Sequence, residues 1–328
     1  MAATEKLWLG FDLGGTKMCA YVFDSAFKVL GFQKRKTKAQ EGMEASFQRL
    51  FQTIREALDS VGASPKQLAG IGVGCPGPLD HVRGILLSTP NMGWVNAPLK
   101  KVLEAEFKCP AAILNDVDAG IYGEYSFGAG KNGRCVLGVF PGTGIGGGCV
   151  YQGGIIMGAT SSVMEFGHMQ MIADGPLCGC GRRGCLEAIA SRLAIASAAA
   201  AAAQRGAAPW LLKNAGADLA AIRSSTLADA IKNGDHAVEV IARQAAQWIG
   251  IAVGNAVNLL GPDIVVLGGG LVEAMPTLFK NEVAKAAATR VMPGFVGTFK
   301  VVTAKLGDKA TAQGAAGWAR KQVLGENR

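Results

Sequence analysis

The sequence has few of the features that mark a membrane-bound or secreted protein. Only 18% of its 328 residues are charged and 7% are aromatic. No apolar run approaches the roughly 20 residues that a membrane span needs. The first residues, MAATEKLWLGFDLGG, lead almost directly into a predicted strand and contain no signal peptide. These absences predict a cytoplasmic protein with no membrane partner, and the length predicts two domains.

Cysteine is present but mostly isolated. Five of the eight cysteines lie singly among small or apolar residues, as reduced core cysteines do, which favours the cytoplasm: Cys19, Cys75, Cys109, Cys135 and Cys149. The other three, Cys178, Cys180 and Cys185, follow His168 within the segment EFGHMQMIADGPLCGCGRRGCLE (165–187). One histidine and three cysteines form a complete tetrahedral ligand set, which predicts a structural zinc site. The alternative is a cluster of buried or redox-active cysteines.

The positive charge is scattered along the chain. A net charge of +8 suits a nucleic-acid-binding protein or an enzyme that acts on phosphates. The one dense basic group, Lys34, Arg35, Lys36 and Lys38, alternates along a predicted strand, as a solvated face does. We therefore expect no nucleic-acid partner.

Hydrophobic periodicity predicts an α/β protein with an internal repeat. Strands are predicted at 7–13, 18–23 and 29–36, followed by a helix at 44–61, and buried strands begin at 70 and at 111 with a helix at 97–107 between them. From Cys135 the pattern of strand, Gly-Thr turn, strand and third strand recurs, which predicts a duplicated fold with one ligand cleft between the halves. Helices dominate 187–260, a buried strand follows at 263–270, and helices are predicted at 271–289 and 311–321, the last folding back onto the first domain.

Each half of this repeat contains a glycine-rich turn between two strands. Such turns let backbone N–H groups approach an anion, although each alone is equally compatible with an ordinary hairpin. Neither matches a Walker loop or a dinucleotide fingerprint. Together with Asp12 as a magnesium ligand, the two turns predict a nucleoside triphosphate site: Gly14, Gly15, Thr16 and Lys17 in the first, and Thr143, Gly144, Gly146 and Gly147 in the second.

Several acidic residues are candidates for chemistry on a substrate. Asn115 and Asp116 end a buried strand, where open α/β sheets place ligands. Asp116 is either a general base that deprotonates a substrate hydroxyl or the N-cap of the helix that begins at Val117. Glu165 and Glu187 bracket the cysteine-rich segment and suit a polyhydroxylated ligand, or they are surface acids beside a structural zinc.

Taken together, these motifs resemble those of the ROK family of sugar kinases and repressors. The resemblance runs from FDLGGTK through GVGCPGPLD, NMGW, LNDVDAGIYGEYSFGAG, GTGIGGG, the cysteine-rich segment, VVLGGG and LGDKATAQGAA. It implies the actin-like ATPase (ribonuclease H-like) duplicated α/β fold, with two domains flanking a cleft. We expect a smaller domain of residues 1–117 plus 304–328 and a larger domain of residues 118–303 that carries the zinc loop.

The resemblance also implies a role for each matching residue. Asp116 resembles the catalytic base. The residues that resemble sugar contacts are Asn115, Glu165, His168 and Glu187, with Gly77, Thr89 and Asn91 as wall contacts. The residues that resemble zinc ligands are His168, Cys178, Cys180 and Cys185. The nucleotide side comprises Asp12, Gly14, Gly15, Thr16 and Lys17 in the first phosphate turn, Thr143 and Gly144 in the second, and Gly268, Gly269 and Gly270 beside the adenosine. Met164 departs from the small residue usual before Glu165, which narrows the pocket or shifts Glu165.

The function that follows from the resemblance is ATP-dependent phosphorylation of a hexose, glucose first, at the 6-hydroxyl. N-Acetylmannosamine, N-acetylglucosamine, allose and fructose are alternative substrates, and polyphosphate is an alternative donor. The expected cofactors are Mg²⁺ with the nucleotide and structural Zn²⁺, and the expected assembly is a homodimer or homotetramer. Family repressors carry a winged helix before the first turn, but only eleven residues precede Asp12. A sugar-binding protein without catalysis is the third possibility, against which the intact Asp116 argues.

Overall fold

The computed structural model describes residues 6–89, 92–158 and 163–325, which form an α/β protein. Its contacts divide the chain into two compact units: residues 1–132, 149–163 and 305–328 form the first, and residues 133–148 and 164–304 form the second. The helix that begins at Asp116 therefore falls in the first unit, whereas the predicted domain boundary at 117 assigns most of it to the other domain. The predicted domain boundaries themselves stay a prediction.

A five-stranded sheet in the order β3-β2-β1-β4-β8 forms the centre of the first unit. Strands β1 and β2 and strands β2 and β3 are antiparallel, and β1, β4 and β8 run parallel. A small antiparallel sheet, β5-β6-β7, accompanies it. The elements are β1 (Leu7–Leu13), β2 (Lys17–Phe23), β3 (Val29–Lys36), α1 (Met43–Asp59), β4 (Leu68–Cys75), β5 (Leu79–Asp80), β6 (Ile85–Thr89), β7 (Trp94–Ala97), α2 (Leu99–Phe107), β8 (Ala111–Asn115) and α3 (Asp116–Phe127).

The second five-stranded sheet has the order β11-β10-β9-β12-β13, in which β9, β12 and β13 run parallel. When the five strands of each sheet are numbered along the chain, both sheets have the same spatial order, 3-2-1-4-5. This identity of topology confirms the predicted duplication. The elements are β9 (Cys135–Pro141), β10 (Ile145–Tyr151), β11 (Gly154–Ile155), α4 (Leu186–Ala190), α5 (Arg192–Gln204), α6 (Pro209–Ala215), α7 (Ser224–Lys232), α8 (His236–Leu260), β12 (Ile264–Leu267), α9 (Gly270–Ala274), α10 (Pro276–Ala288), β13 (Lys300–Thr303) and α11 (Ala310–Leu324).

The C-terminal helix α11 packs directly on the first sheet, as its predicted return to the first domain requires. Contact is close because glycines remove the side chains between the backbones. A Cβ on Gly72 of β4 would lie 1.9 Å from the carbonyl oxygen of Ala315, and one on Gly314 would lie 1.8 Å from that of Ala119 in α3. Any larger residue at these positions would force backbones apart. The small residues of α11 thus hold β4 and α3 in place, and with them the carboxyl ends of the parallel strands.

The predicted helices of the second unit are largely present, with one change of detail. The alanine-rich segment forms α5, which ends at Gln204, and the next helix, α6, begins at Pro209. The single helix predicted at 271–289 is instead two helices, α9 and α10, which meet at Met275 and Pro276. Proline cannot donate a backbone hydrogen bond and fits the first turn of a helix, so it starts α10 and ends α9.

One stretch of the described residues, Leu186–Gln204, is long and apolar enough for a membrane span by length and composition. This differs from the expectation that the chain contains no such run. The stretch comprises two helices, α4 and α5, that are separated at Ser191, and 50% of its most apolar window is buried within the protein. Half-buried, interrupted apolar helices are typical of a protein core, so the segment is weak evidence for a membrane span.

Candidate active site

The carboxyl ends of three parallel strands bring the predicted site residues of the first unit together. Asp12 near the end of β1 lies in register with Gly74 of β4, and Cys75 at the end of β4 lies in register with Asn115 of β8. Asp116 follows Asn115 directly. Open α/β sheets bind their ligands at this edge. Asp12, Asn115 and Asp116 therefore lie at the edge where a substrate would bind.

Asp12 lies in an environment that disfavours its ionised form. Its pKa is raised from 3.8 to about 6, first by burial and then by the Asp116 carboxylate, with a smaller contribution from Asp308 and a partly compensating one from the Lys17 ammonium. Lys17 also lies 3.9 Å from Asp308, between Nζ and Oδ2. A buried carboxylate beside a second carboxylate favours a bound cation. This environment fits the predicted role of Asp12 as a magnesium ligand.

Hydrogen bonds fix the start of the first glycine turn, and its tip is exposed to solvent. The Gly14 N–H donates to the carbonyl oxygen of Lys17 at 2.9 Å, and the Thr37 hydroxyl donates to the carbonyl oxygen of Gly14 at 2.6 Å. A Cβ on Gly14 would lie 2.8 Å from the Lys17 carbonyl oxygen, so the turn requires glycine there. Thr16 and Lys17 are exposed. The turn is thus rigid and presents its tip to solvent, as a phosphate-binding turn must.

The structure resolves which residue caps the helix after β8. The N-cap of α3 is Asn115, whose Oδ1 accepts hydrogen bonds from the N–H groups of Val117 at 2.8 Å and Asp118 at 3.4 Å. The alternative role of Asp116 as the N-cap is therefore wrong. Asp116 is the first residue of the helix, its Oδ1 accepts from the Val117 N–H at 2.9 Å, and the Thr311 hydroxyl donates to its carbonyl oxygen at 3.3 Å. Its role as a base stays a prediction.

The residues predicted as wall contacts have structural roles of their own. A Cβ on Gly77, which has a φ of 95°, would lie 2.5 Å from the carbonyl oxygen of Ser88, so glycine is required for this close approach. Thr89 is buried, and its hydroxyl accepts from the Trp94 N–H at 3.1 Å and donates to the Trp94 carbonyl oxygen at 3.4 Å. Asn91 lies outside the described residues.

His168 and the three clustered cysteines of the second unit converge as the sequence predicts. One ligand atom from each of the four residues lies within 4.8 Å of the others. Sγ of Cys178 is 3.6 Å from Nδ1 of His168, and Sγ of Cys180 is 3.8 Å from Sγ of Cys185. A tetrahedral zinc ion with Zn–S of about 2.3 Å and Zn–N of about 2.05 Å requires ligand separations of about 3.8 Å (S···S) and about 3.6 Å (S···N). The four side chains fit zinc.

The loop before the histidine follows β10 closely. A Cβ on Gly147 of β10 would lie 2.4 Å from Cβ of Phe166 and 2.8 Å from the carbonyl oxygen of Met164. Met164 has a φ of 64°, which is unfavourable for a side chain of its size. Glu165 is exposed, and its carbonyl oxygen accepts from the His168 N–H at 2.9 Å. The loop therefore presents Glu165 to solvent beside the metal-binding cluster.

Glu187 links the metal-binding cluster to the second glycine turn. Its Oε1 lies 3.6 Å from Sγ of Cys178, and its Oε2 accepts from the Ile145 N–H at 3.0 Å. A Cβ on Gly144 would lie 2.2 Å from the same Oε2, so glycine at 144 leaves room for the carboxylate. One carboxylate thus contacts both a predicted zinc ligand and the predicted phosphate turn.

Arg192, which belongs to none of the sequence motifs, donates two hydrogen bonds to the same turn. Its backbone N–H donates to the carbonyl oxygen of Gly142 at 2.9 Å, and its Nη2 donates to the Thr143 hydroxyl at 3.1 Å. The glycine run 268–270, predicted to lie beside the adenosine, is also close to this turn. A Cβ on Gly269 would lie 2.8 Å from the carbonyl oxygen of Pro141. No local pattern marks Arg192, because its contacts depend on residues about fifty positions away.

The whole chain is similar to proteins of known family. Residues 8–322 match the ROK family. The chain is 32% identical to a glucokinase of Thermotoga maritima, over 97% of this chain and 98% of that protein. It is similar to the structure of a ROK family glucokinase from Streptomyces griseus in complex with glucose and AMPPNP, with a TM-score of 0.81, 30% identity and coverage of 96% and 99%. It is also similar to a ROK hexokinase from Thermus thermophilus, with a TM-score of 0.82, 31% identity and coverage of 97% and 99%.

Proposed function

Because the chain belongs to the ROK family, we propose that it is an ATP-dependent kinase that phosphorylates the 6-hydroxyl of glucose. The observation that carries the proposal is the full-length similarity to glucokinases, one of which binds glucose and an ATP analogue. The proposal is supported by the convergence of Asp12 and Asp116 at one edge of the first sheet. N-Acetylmannosamine, N-acetylglucosamine, allose and fructose are the alternative substrates.

Asp116 is the proposed general base. It accepts the proton of the 6-hydroxyl as the oxygen attacks the γ-phosphorus, the bond between that phosphorus and the β,γ-bridging oxygen breaks, and ADP leaves. A positioned base of this kind supplies about 10²–10⁴-fold of the rate. Asp12 would hold Mg²⁺, which neutralises charge on the β- and γ-phosphates. The two glycine turns provide backbone N–H groups for the phosphate oxygens.

The proposed sugar contacts combine donors and acceptors. Asn115 uses its Oδ1 as a helix cap, so its amide nitrogen is the atom that can donate to a sugar hydroxyl. Glu165 is an exposed acceptor beside the metal-binding loop. His168 directs Nδ1 towards the cysteines, which leaves Nε2 for a sugar hydroxyl. Glu187, whose Oε2 already accepts from Ile145, offers its remaining acceptor capacity.

The metal-binding cluster is proposed to hold a structural Zn²⁺. Four protein ligands complete a tetrahedron, so the ion would have no open position for catalysis. His168, Cys178, Cys180 and Cys185 would supply the ligands and fix the loop that carries Glu165 and Glu187. We further propose a cytoplasmic enzyme that assembles as a homodimer or homotetramer and uses ATP rather than polyphosphate.

The substitution Asp116→Asn tests the proposal. Asparagine keeps the size of the side chain and cannot accept the proton, so we expect the turnover number to fall at least a hundredfold while the Kd for glucose changes less than threefold. Asp59→Asn, at the exposed end of α1, is the matched control and should leave both quantities unchanged. A coupled kinase assay over the five hexoses, with ATP and polyphosphate, identifies the substrate and the donor. Turnover by Asp116→Asn at nearly the wild-type rate would refute the assignment of the base.

A further inference from the structure

The first unit contains a cavity at the amino-terminal edge of its parallel strands β1, β4 and β8, opposite the edge that carries Asp12 and Asp116. Its volume is about 540 Å³, within the range of roughly 300–1,000 Å³ that is usual for ligand pockets. The chain from Lys6, at the cavity, to Asp12 covers about 20 Å at about 3.3 Å per residue. The cavity is therefore separate from the candidate active site.

Three segments that are distant in sequence each contribute one lysine to this cavity. Lys6 directly precedes β1, Lys66 lies in the short 3-10 helix Pro65–Gln67 that leads into β4, and Lys108 lies between α2 and β8. All three lysines are exposed, and none of their ammonium groups forms an ion pair or a hydrogen bond with another residue of the described ranges. No acidic residue is among the described residues that line the cavity. Three positive charges thus converge there without a neutralising carboxylate.

The other polar groups of the cavity do not offset this charge. The pKa of the Cys109 thiol is raised to about 11, first by burial and then by the Glu104 carboxylate, so the thiol is neutral at pH 7. Glu104 itself accepts a hydrogen bond from the Ala111 N–H at 3.1 Å. Gln67 accepts from the Ser64 N–H at 2.9 Å through its Oε1, which leaves its amide nitrogen as a donor. The cavity therefore offers positive charge and an N–H donor, which suit an oxyanion.

The number of lysines indicates the size of the charge that they match. A lysine ammonium binds phosphate as a compact point charge with three donors. One phosphate monoester carries about −1.5 to −2 charges at pH 7, so it would leave one of three lysines unbalanced. Two phosphate groups in one molecule match all three.

We propose that this cavity binds a small polyanion with two phosphate groups, held by Lys6, Lys66 and Lys108 and by the amide nitrogen of Gln67. Such a ligand is either inorganic, as pyrophosphate is, or an organic bisphosphate; the recognised chemistry is the same. The proposal does not depend on the proposed kinase function, because the cavity and the candidate active site lie at opposite edges of the sheet.

Calorimetric titration with pyrophosphate, without Mg²⁺, tests the site. Glutamine retains most of the lysine stem and removes the charge, so we expect the double variant Lys66→Gln/Lys108→Gln to raise the Kd for pyrophosphate at least tenfold. Lys28→Gln/Lys131→Gln is the matched control, since it removes two exposed lysines of the same unit, and it should leave the Kd unchanged. Inorganic phosphate should bind wild type at least tenfold more weakly than pyrophosphate. A parallel titration with a hexose 1,6-bisphosphate distinguishes the sources, because the tighter of the two bisphosphates identifies an inorganic or an organic ligand.

Lys17→Gln distinguishes this site from the first glycine turn, where pyrophosphate could also bind. We expect the binding that is lost in Lys66→Gln/Lys108→Gln to persist in Lys17→Gln. Pyrophosphate binding that is lost only in Lys17→Gln, an unchanged Kd in Lys66→Gln/Lys108→Gln, or an equal loss in the control pair would overturn the proposal. Equal affinity for phosphate and pyrophosphate would refute the assignment of two phosphate groups. A protein that binds pyrophosphate through Lys66 and Lys108 but phosphorylates no hexose would contradict the proposed function alone.

Discussion

Replacing Asp12 with asparagine should make the protein more stable at neutral pH while removing its activity. The pKa of Asp12 rises from 3.8 to about 6 on folding, chiefly through burial and then through the Asp116 carboxylate. A shift of about two pKa units, at about 1.36 kcal/mol per unit, corresponds to at most about 3 kcal/mol. This is the free energy by which the folded state disfavours an ionised Asp12.

The sign of the pH dependence follows from the direction of the shift. Between pH 3.8 and about 6, the folded protein binds a proton at Asp12 that the unfolded chain has lost, so this residue makes stability fall as the pH rises through that window. Asparagine cannot ionise and removes the dependence. Asp12→Asn should therefore exceed the wild type by up to about 3 kcal/mol at pH 7.5 and by almost nothing near pH 4.

Urea denaturation between pH 4 and pH 7.5, without Mg²⁺ or nucleotide, measures the difference between the two proteins. Asp308→Asn is the control, because Asp308 is exposed and makes the smallest contribution to the raised pKa of Asp12. Its stability should stay within about 0.5 kcal/mol of wild type. If Asp12→Asn is no more stable at pH 7.5, or if its advantage does not change with pH, the carboxylate is not held in a desolvating environment.

Two further predictions concern the metal-binding loop. Cys180 is exposed, so Cys180→Ser removes a predicted zinc ligand without loss of packing. We expect elemental analysis to show loss of zinc and scanning calorimetry to show a lower Tm. The control variant Arg182→Ala should keep its zinc and the wild-type Tm. Wild-type protein that is free of zinc yet equally stable would contradict the assignment. Glu187→Ala removes a charged acceptor from the Ile145 N–H, at a cost of about 1.5–3 kcal/mol, and should raise the KM values for both ATP and glucose. Glu187→Gln should restore most of the stability. An unchanged KM for ATP in Glu187→Ala would exclude a role of Glu187 in supporting the phosphate turn.

Much of the fold was predictable because its signals are local. The strands of the first sheet follow from runs of apolar residues between glycine turns, and the metal-binding cluster follows from four ligand residues within eighteen positions. The position of α3 was not predictable in this way. Its contact with α11, as between Thr311 and Asp116, joins residues 195 positions apart. Only close packing at residues such as Gly314 reveals that the two helices belong together.

The sequence was sufficient to predict which residues belong to the candidate site, but not which hydrogen bonds each of them makes. Sequence placed Asn115 and Asp116 at a strand end, but a shift of one residue in the helix start decides which side chain becomes the cap. Periodicity fixes a helix boundary less precisely than one residue. No sequence pattern indicates the role of Arg192, because a single arginine at a helix start is more often solvent-exposed than hydrogen-bonded to a distant turn.

The short segment from Cys185 to Arg192 connects the metal-binding loop to the second glycine turn. Cys185 precedes α4 as its N-cap, Glu187 in α4 accepts from Ile145, and Arg192 at the start of α5 bonds Gly142 and Thr143. Three bonds to one turn therefore originate within eight residues of a predicted zinc ligand. A metal that orders this segment would order the phosphate turn together with the proposed sugar contacts. Loss of the metal should consequently impair the use of ATP as well as of the hexose, which a metal serving the sugar side alone would not do.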